Sequence, residues 1–149
     1  MIIAKRVYEP YDPADGYRVL VDRLWPRGVS KERAHIDAWE KDIAPSRELR
    51  EWYSHDPDRW PEFQKRYLAE LRTQAARVVL DDLVRRAGTG RVTLVYASRA
   101  GDISDAAVLE RLLGRRARRS GGTEPAKAAA PAGTAGATKA ARKGARATK

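Results

Sequence analysis

Val92-Thr93-Leu94-Val95-Tyr96 is the stretch on which the fold turns. It is short, uncharged and β-branched, the pattern of a strand buried on both faces at the centre of a sheet. Working outward, a second buried strand is predicted at Tyr17–Val21, around Val19-Leu20-Val21, and a first at Met1–Tyr8, with Ile2, Ile3 and Val7. Between them Tyr11–Gly16 is a turn-rich loop, and Asp22–Gly28 leaves the second strand through the breakers Pro26 and Gly28. The stretch before Val92 reads as helical. Asp37 and Glu40 stand at capping-box spacing and predict a short helical turn carrying Trp39 and Ile43. Pro45 and Ser46 open another, with Leu49, Trp52 and Tyr53 on one face. Trp60, Phe63, Tyr67, Leu71, Ala75 and Val78 form an amphipathic stripe. A proline is tolerated only in a helix's first turn, so a separate turn is expected at Pro57–Trp60 and the main helix from Pro61. That helix either breaks near Thr73 or runs through Leu80 and Leu83 to Gly88. After Val92–Tyr96, Ala97–Ile103 is a loop, and Ser104 caps a final helix with Val108, Leu109, Leu112 and Leu113 inward and Gly114 just past its end. Two buried strands separated by long helical crossovers predict an α/β fold: a single domain over residues 1–114 with a small, mostly parallel sheet covered by helices.

The charge is divided unevenly. The 149 residues carry 30 Lys+Arg against 20 Asp+Glu, a net charge of +10. Residues 115–149 hold Arg115, Arg116, Arg118, Arg119, Lys127, Lys139, Arg142, Lys143, Arg146 and Lys149 against Glu124 alone, a net +9. The first 114 residues are therefore nearly neutral. Beyond Leu113 there is no Val, Ile, Leu, Met, Phe, Trp or Tyr, so residues 115–149 are expected to be a disordered basic tail. Such a tail releases counterions from a polyanion and has no aromatics to read bases. Its expected partner is DNA or RNA, bound without sequence preference. The bland alternative is a solubilising cationic tail. No run of about 18 apolar residues could span a membrane. No basic-then-apolar leader opens the chain, which points to a cytoplasmic protein, associated with the nucleoid if the tail binds there. With no cysteine there are no disulfides, thiol nucleophiles or cysteine-ligated metals. Two histidines do not make a zinc site, and no phosphate-binding loop, dinucleotide fingerprint or nucleophile elbow calls for a cofactor. Nothing in the sequence sets an oligomeric state.

Ligands of parallel α/β sheets bind beyond the carboxyl ends of the strands. Two segments leave that edge: Asp22-Arg23-Leu24-Trp25-Pro26-Arg27-Gly28 and Tyr96-Ala97-Ser98-Arg99. If the strands are parallel neighbours, Arg23, Arg27, Arg99, Tyr96 and Ser98 converge on a cleft for a small anionic ligand, the guanidiniums holding carboxylate or phosphate. Equally, Asp22 and one arginine make a structural ion pair. If the domain is an enzyme acting on a phosphorylated or carboxylated compound, Asp22 or His55 moves the proton. His55 beside Asp56 can instead satisfy a carbonyl while Asp56 caps the turn before Pro57. The four tryptophans, Trp25, Trp39, Trp52 and Trp60, read as packing rather than as a base-stacking surface.

Lys5-Arg6-Val7-Tyr8, Tyr17-Arg18-Val19-Leu20-Val21-Asp22-Arg23-Leu24-Trp25-Pro26-Arg27-Gly28, Asp42-Ile43-Ala44-Pro45-Ser46 with Leu49-Arg50 and Trp52, His55-Asp56-Pro57 with Trp60 and Phe63, and Val92–Ala97 together resemble the YeaO-like family of small bacterial proteins (domain of unknown function 488). The resemblance covers nearly all of residues 1–114 and none of the tail. It implies a compact α/β domain and no particular activity. It also exposes a departure. Where the family carries a His-Asn pair entering the last helix, this chain has Ile103 and Ser104, so a site built on that histidine would be incomplete here, favouring binding over catalysis.

Overall fold

A computed structural model describes residues 1–123, with side chains as far as Arg119. Four strands, β1 (Ile2–Arg6), β2 (Tyr17–Leu20), β3 (Ala38–Trp39) and β4 (Val92–Tyr96), form one sheet in the order β1-β4-β2-β3 with every pairing parallel. The central place of β4 follows from its sequence. All five of its residues are buried, and only an interior strand with both faces covered accommodates that. β4 pairs Val92–Val95 with Tyr17–Leu20 on one side and Val92–Tyr96 with Ile2–Arg6 on the other. Hence the expected pair of buried strands are indeed parallel neighbours, and their carboxyl ends open on the same edge.

The helices are α1 (Lys31–Ala34), α2 (Arg47–Tyr53), α3 (Trp60–Glu70), α4 (Gln74–Ala87) and α5 (Asp105–Thr123). One face of the sheet, through Val19, Val21, Val92, Leu94 and Tyr96, packs on Phe63, Tyr67, Leu80, Leu83, Leu109 and Leu113 from α3, α4 and α5. Each of these larger side chains removes about 1.5–3 kcal/mol worth of apolar surface from water. The other face is thinner: Leu20 and Val95 meet Val7 and Ala34, roofed by half-buried Trp25 and Trp39 packed edge to face at 5.5 Å. Trp52 and Trp60 pack against the first cluster, so all four tryptophans serve packing.

Local chemistry sets the element ends. Ser46 caps α2 and Ser30 caps α1 through their side chains. Asp56 caps a 3-10 turn at Pro57–Arg59, and α3 then starts with Pro61 in its first turn. The Trp60 stripe breaks at Thr73, which accepts a hydrogen bond from the Ala76 amide and begins α4 as a separate helix.

Two expectations are corrected. Ala38–Trp39 is an edge strand and not a helical turn, because the Asp37 carboxylate accepts from the Arg18 amide of β2 at 2.8 Å instead of capping Glu40. The 3-10 turn that carries Ile43 follows at Lys41–Ile43. The last helix does not stop at Gly114 but continues to Thr123. One glycine inside a helix costs only about 1 kcal/mol, and Arg115, Arg116, Ala117, Arg118 and Arg119 directly after it are good helix formers. Arg116 also reaches Asp81 of α4 at 3.6 Å.

The chain divides into two compact units, Met1–Ala117 and Arg118–Lys149. The sheet and its cores belong to the first. Of the second, the description covers the end of α5. Lys127, Lys139, Arg142, Lys143, Arg146 and Lys149, six of the expected nucleic-acid contacts, lie outside the described residues.

Arg18 on β2 is 1 % exposed, the largest fully buried side chain. It is tolerable because Asp15, 3 % exposed, meets it at 2.6 Å while the Ala34 carbonyl accepts from its guanidinium. Lys5 reaches the same carboxylate at 3.0 Å, and the Thr93 hydroxyl donates to the Asp15 carbonyl. Burial alone would raise the Asp15 carboxyl, but hydrogen bonds from Lys5, from the Asp12 backbone and from Arg18 outweigh it and hold it below the ordinary value.

Candidate functional site

At the carboxyl edge of the sheet, where β2 and β4 end, lies a cleft of about 630 Å³. Its floor is the exit of the two strands. The Asp22 carboxylate accepts from the Ala97 amide at 2.9 Å, tying the end of β2 to the end of β4, and the Asp22 carbonyl accepts from the Trp39 indole at 2.7 Å. Arg23 then donates to the Pro45 carbonyl, and the Trp25 indole to the Val29 carbonyl, fixing the loop that follows. The α2 wall supplies Arg50 and Tyr53, and the Tyr53 hydroxyl donates to the Ile103 carbonyl at 2.8 Å. α5 presents Ser104 and Asp105 at its start.

Of the residues singled out from the sequence, Asp22, Arg23, Arg27, Ser98 and His55 line this cleft. Tyr96 and Arg99 do not. Alternation along β4 sends Tyr96 into the larger core with Val92 and Leu94, where burial raises its phenol. Arg99 is exposed on the loop beyond. The anticipated ion pair of Asp22 with an arginine is absent among the described residues: the backbone amide of Ala97 takes that carboxylate instead.

Three cleft arginines, Arg23, Arg27 and Arg50, have no carboxylate partner among the described residues, and the buried Arg50 Nε makes no hydrogen bond. The carboxylates facing them are shifted toward neutrality. Burial raises Asp22, against the Ala97 amide and the charge of Arg50. Burial and then the charge of Asp22 push Asp105 up to about 7, against backbone amides at the start of α5 and the charge of Arg50. These two acids behave as a pair that resists double ionisation. Sequence reasoning does not single out Asp105 or Arg50 as site residues, because each sits on a helix whose inward stripe reads as core and cap. The signals available are Asp105 in the first turn of the last helix and Arg50 within the stretch that carries the family resemblance.

His55 stands on the rim, exposed. It and Ser54 both adopt left-handed backbone, at φ 57° and 45°, which for side-chain-bearing residues stores about 1–3 kcal/mol each. Asp56 does not serve it: its carboxylate accepts from the Asp58 amide at 3.0 Å and pairs with Arg59 at 3.6 Å. No group of three or more His, Cys, Asp or Glu is placed to hold a metal ion among the described residues. Nor is any described helix long and apolar enough to cross a membrane.

A family model described as the inactive DUF488-N3 subclade matches residues 1–132. The chain belongs to this DUF488-N3 subclade. Uncharacterised proteins of Mycobacterium tuberculosis and Mycobacterium bovis are each 51 % identical to it over 111 residues, covering 74 % of this chain and 92 % of theirs. The uncharacterised Escherichia coli protein YeaO is 50 % identical over 70 residues, 47 % of this chain and 61 % of its own. No solved structure matches. In this DUF488-N3 chain Ile103 and Ser104, the positions at which a departure from the YeaO-like pattern is expected, both make structural hydrogen bonds. Ile103 ends the 3-10 turn Gly101–Ile103 and offers its carbonyl to Tyr53. Ser104 donates to the Gly101 carbonyl at 2.9 Å and accepts from the Ala107 amide at 3.3 Å.

Proposed function

We propose that the folded unit binds a small anion in the sheet-edge cleft without turning it over, and that the basic C-terminal stretch binds nucleic acid without sequence preference. The observation that carries the first half is the set of three guanidiniums, Arg23, Arg27 and Arg50, that surround one cleft with no carboxylate partner among the described residues. Arginine forks suit phosphate or carboxylate oxygens. Because Asp105 is biased toward its neutral form, it cancels less of that positive charge and can donate a hydrogen bond to a bound anion. Membership of a subclade described as inactive, and the structural use of Ile103 and Ser104, support binding over catalysis.

A thermal-shift series with phosphate, pyrophosphate, citrate and a sugar phosphate tests it. At least one anion should raise the melting temperature of the natural protein and lose that effect in Arg27→Ala. Equal stabilisation of both proteins, or of neither, removes the cleft from consideration. One observation favours a second reading, a small enzyme acting on a phosphorylated or carboxylated substrate: a carboxyl near pH 7 beside arginines is what proton transfer requires. Consumption of a stabilising anion, abolished in Asp105→Asn, would establish that reading instead.

The second half rests on ten basic residues against one acid over 115–149. A chain shortened after Thr123 loses six of them. It should elute from immobilised DNA at clearly lower salt than the full chain. Identical elution would leave the stretch as a solubilising extension.

A further inference from the structure

The folded unit holds a second concavity, of about 440 Å³, between the α3–α4 junction and α5. Its apolar lining is Leu68, Leu71 and Leu112, and four arginines surround it: Arg72 and Arg77 from the junction and α4, Arg115 and Arg116 from α5. None of its lining residues is acidic. We propose that this groove is a phosphate-backbone site for double-helical nucleic acid, so that binding begins on the folded unit and is not confined to the C-terminal stretch. The inference rests on the nucleic-acid reading above and assigns it a place.

Several exposed arginines outside the groove have an acid beside them. Arg47 pairs with Glu51, Arg59 with Asp56, Arg66 with Glu62, and Arg85 and Arg86 with Asp82. At the groove Arg72, Arg77 and Arg115 are exposed and form no ion pair among the described residues, and Arg116 has only Asp81 at 3.6 Å. Four like charges gathered on one concavity repel one another, and an incoming polyanion relieves that repulsion. α4 adds to the field. Its first turn carries no acid, whereas those of α2, α3 and α5 carry Glu48, Glu62 and Asp105. The chemistry favours backbone phosphates over bases, since the groove has arginine forks and no aromatic ring to stack on. In sequence, Arg115 and Arg116 are also the first two of the ten basic residues that follow Gly114.

The test uses the full chain and a mixed-sequence DNA duplex. The slope of log affinity against log salt concentration is measured for the natural protein, for Arg72→Gln/Arg77→Gln, and for Lys31→Gln/Arg33→Gln. The last pair removes the same charge from α1, on the opposite face of the sheet. Each lost phosphate contact lowers the slope by about 0.9, so the groove variant should fall by about 1.8 while the α1 variant keeps the natural slope. All four substituted side chains are exposed, and coincident melting curves confirm that the variants fold. An unchanged slope in the groove variant, with normal binding by the natural protein, overturns the groove and leaves the C-terminal reading standing. Loss of equal slope in both variants overturns it too, reducing the effect to net charge. No salt-dependent binding by the natural protein removes both. Polyglutamate binding that the groove variant alone loses, with DNA binding intact, also overturns it and makes the groove an acidic-peptide site.

Discussion

Two aspartates set the pH response in opposite directions. Asp105, raised to about 7 by burial and by Asp22, holds its proton in the folded state over a range where the unfolded chain has already released it. The folded state therefore loses stability as pH rises from about 4 through 7, and the loss persists above. Asp105→Asn should be more stable than the natural protein at pH 8 by about 1–3 kcal/mol, with the gap closing toward pH 4, as read by urea unfolding. A gap of the same size at both pH values would show that burial does not burden the natural carboxyl. Asp15 runs the other way. Held low by Lys5 and Arg18 against its burial, it stabilises the fold above about pH 4, and that contribution disappears as the medium becomes more acid. Asp15→Asn leaves Arg18 buried without its counter-charge and should cost about 3–5 kcal/mol in the same assay at pH 7.

Among the elements, the break between α3 and α4 hangs on one side chain. Thr73→Ala removes the cap that starts α4 and should cost about 1 kcal/mol in denaturant unfolding. A change under a few tenths would mean that Leu71 and Leu80 in the core set the break without it. The same scale shows what could be read in advance. β2, β4 and the Trp60 stripe were legible because burial had imposed a composition on them. β3 was not: two residues are too short for a period, and Asp37 and Glu40 mimic a capping box while Asp37 in fact holds the Arg18 amide. α1 carries no apolar stripe in its four residues, so only its Ser30 cap could have announced it. The rule for sheet edges places Asp22, Arg23, Arg27 and Ser98 on the cleft, while His55, singled out for its neighbour Asp56, lines it as well. It overreached at Tyr96, because the last residue of a strand still obeys alternation. It missed Arg50 and Asp105, because helix residues enter a cleft by packing angle, which sequence spacing does not encode.

At the scale of the whole molecule, sheet order and chain order disagree. β1 has no neighbour except β4, and β4 stands between it and β2. The sheet therefore cannot close locally, since its central strand is the last of the four in sequence. A fragment ending at residue 91 should retain helical signal in circular dichroism but lack a cooperative thermal transition. A sharp melt would mean that β2, β3 and the helices already form a stable core. For the growing polypeptide on the ribosome, well over half of the chain must emerge while β1 and one flank of β2 still offer unsatisfied amides and carbonyls. Synthesis at about 5–20 residues per second keeps those edges open for seconds, long enough for a chaperone, or a neighbouring nascent chain, to reach them first.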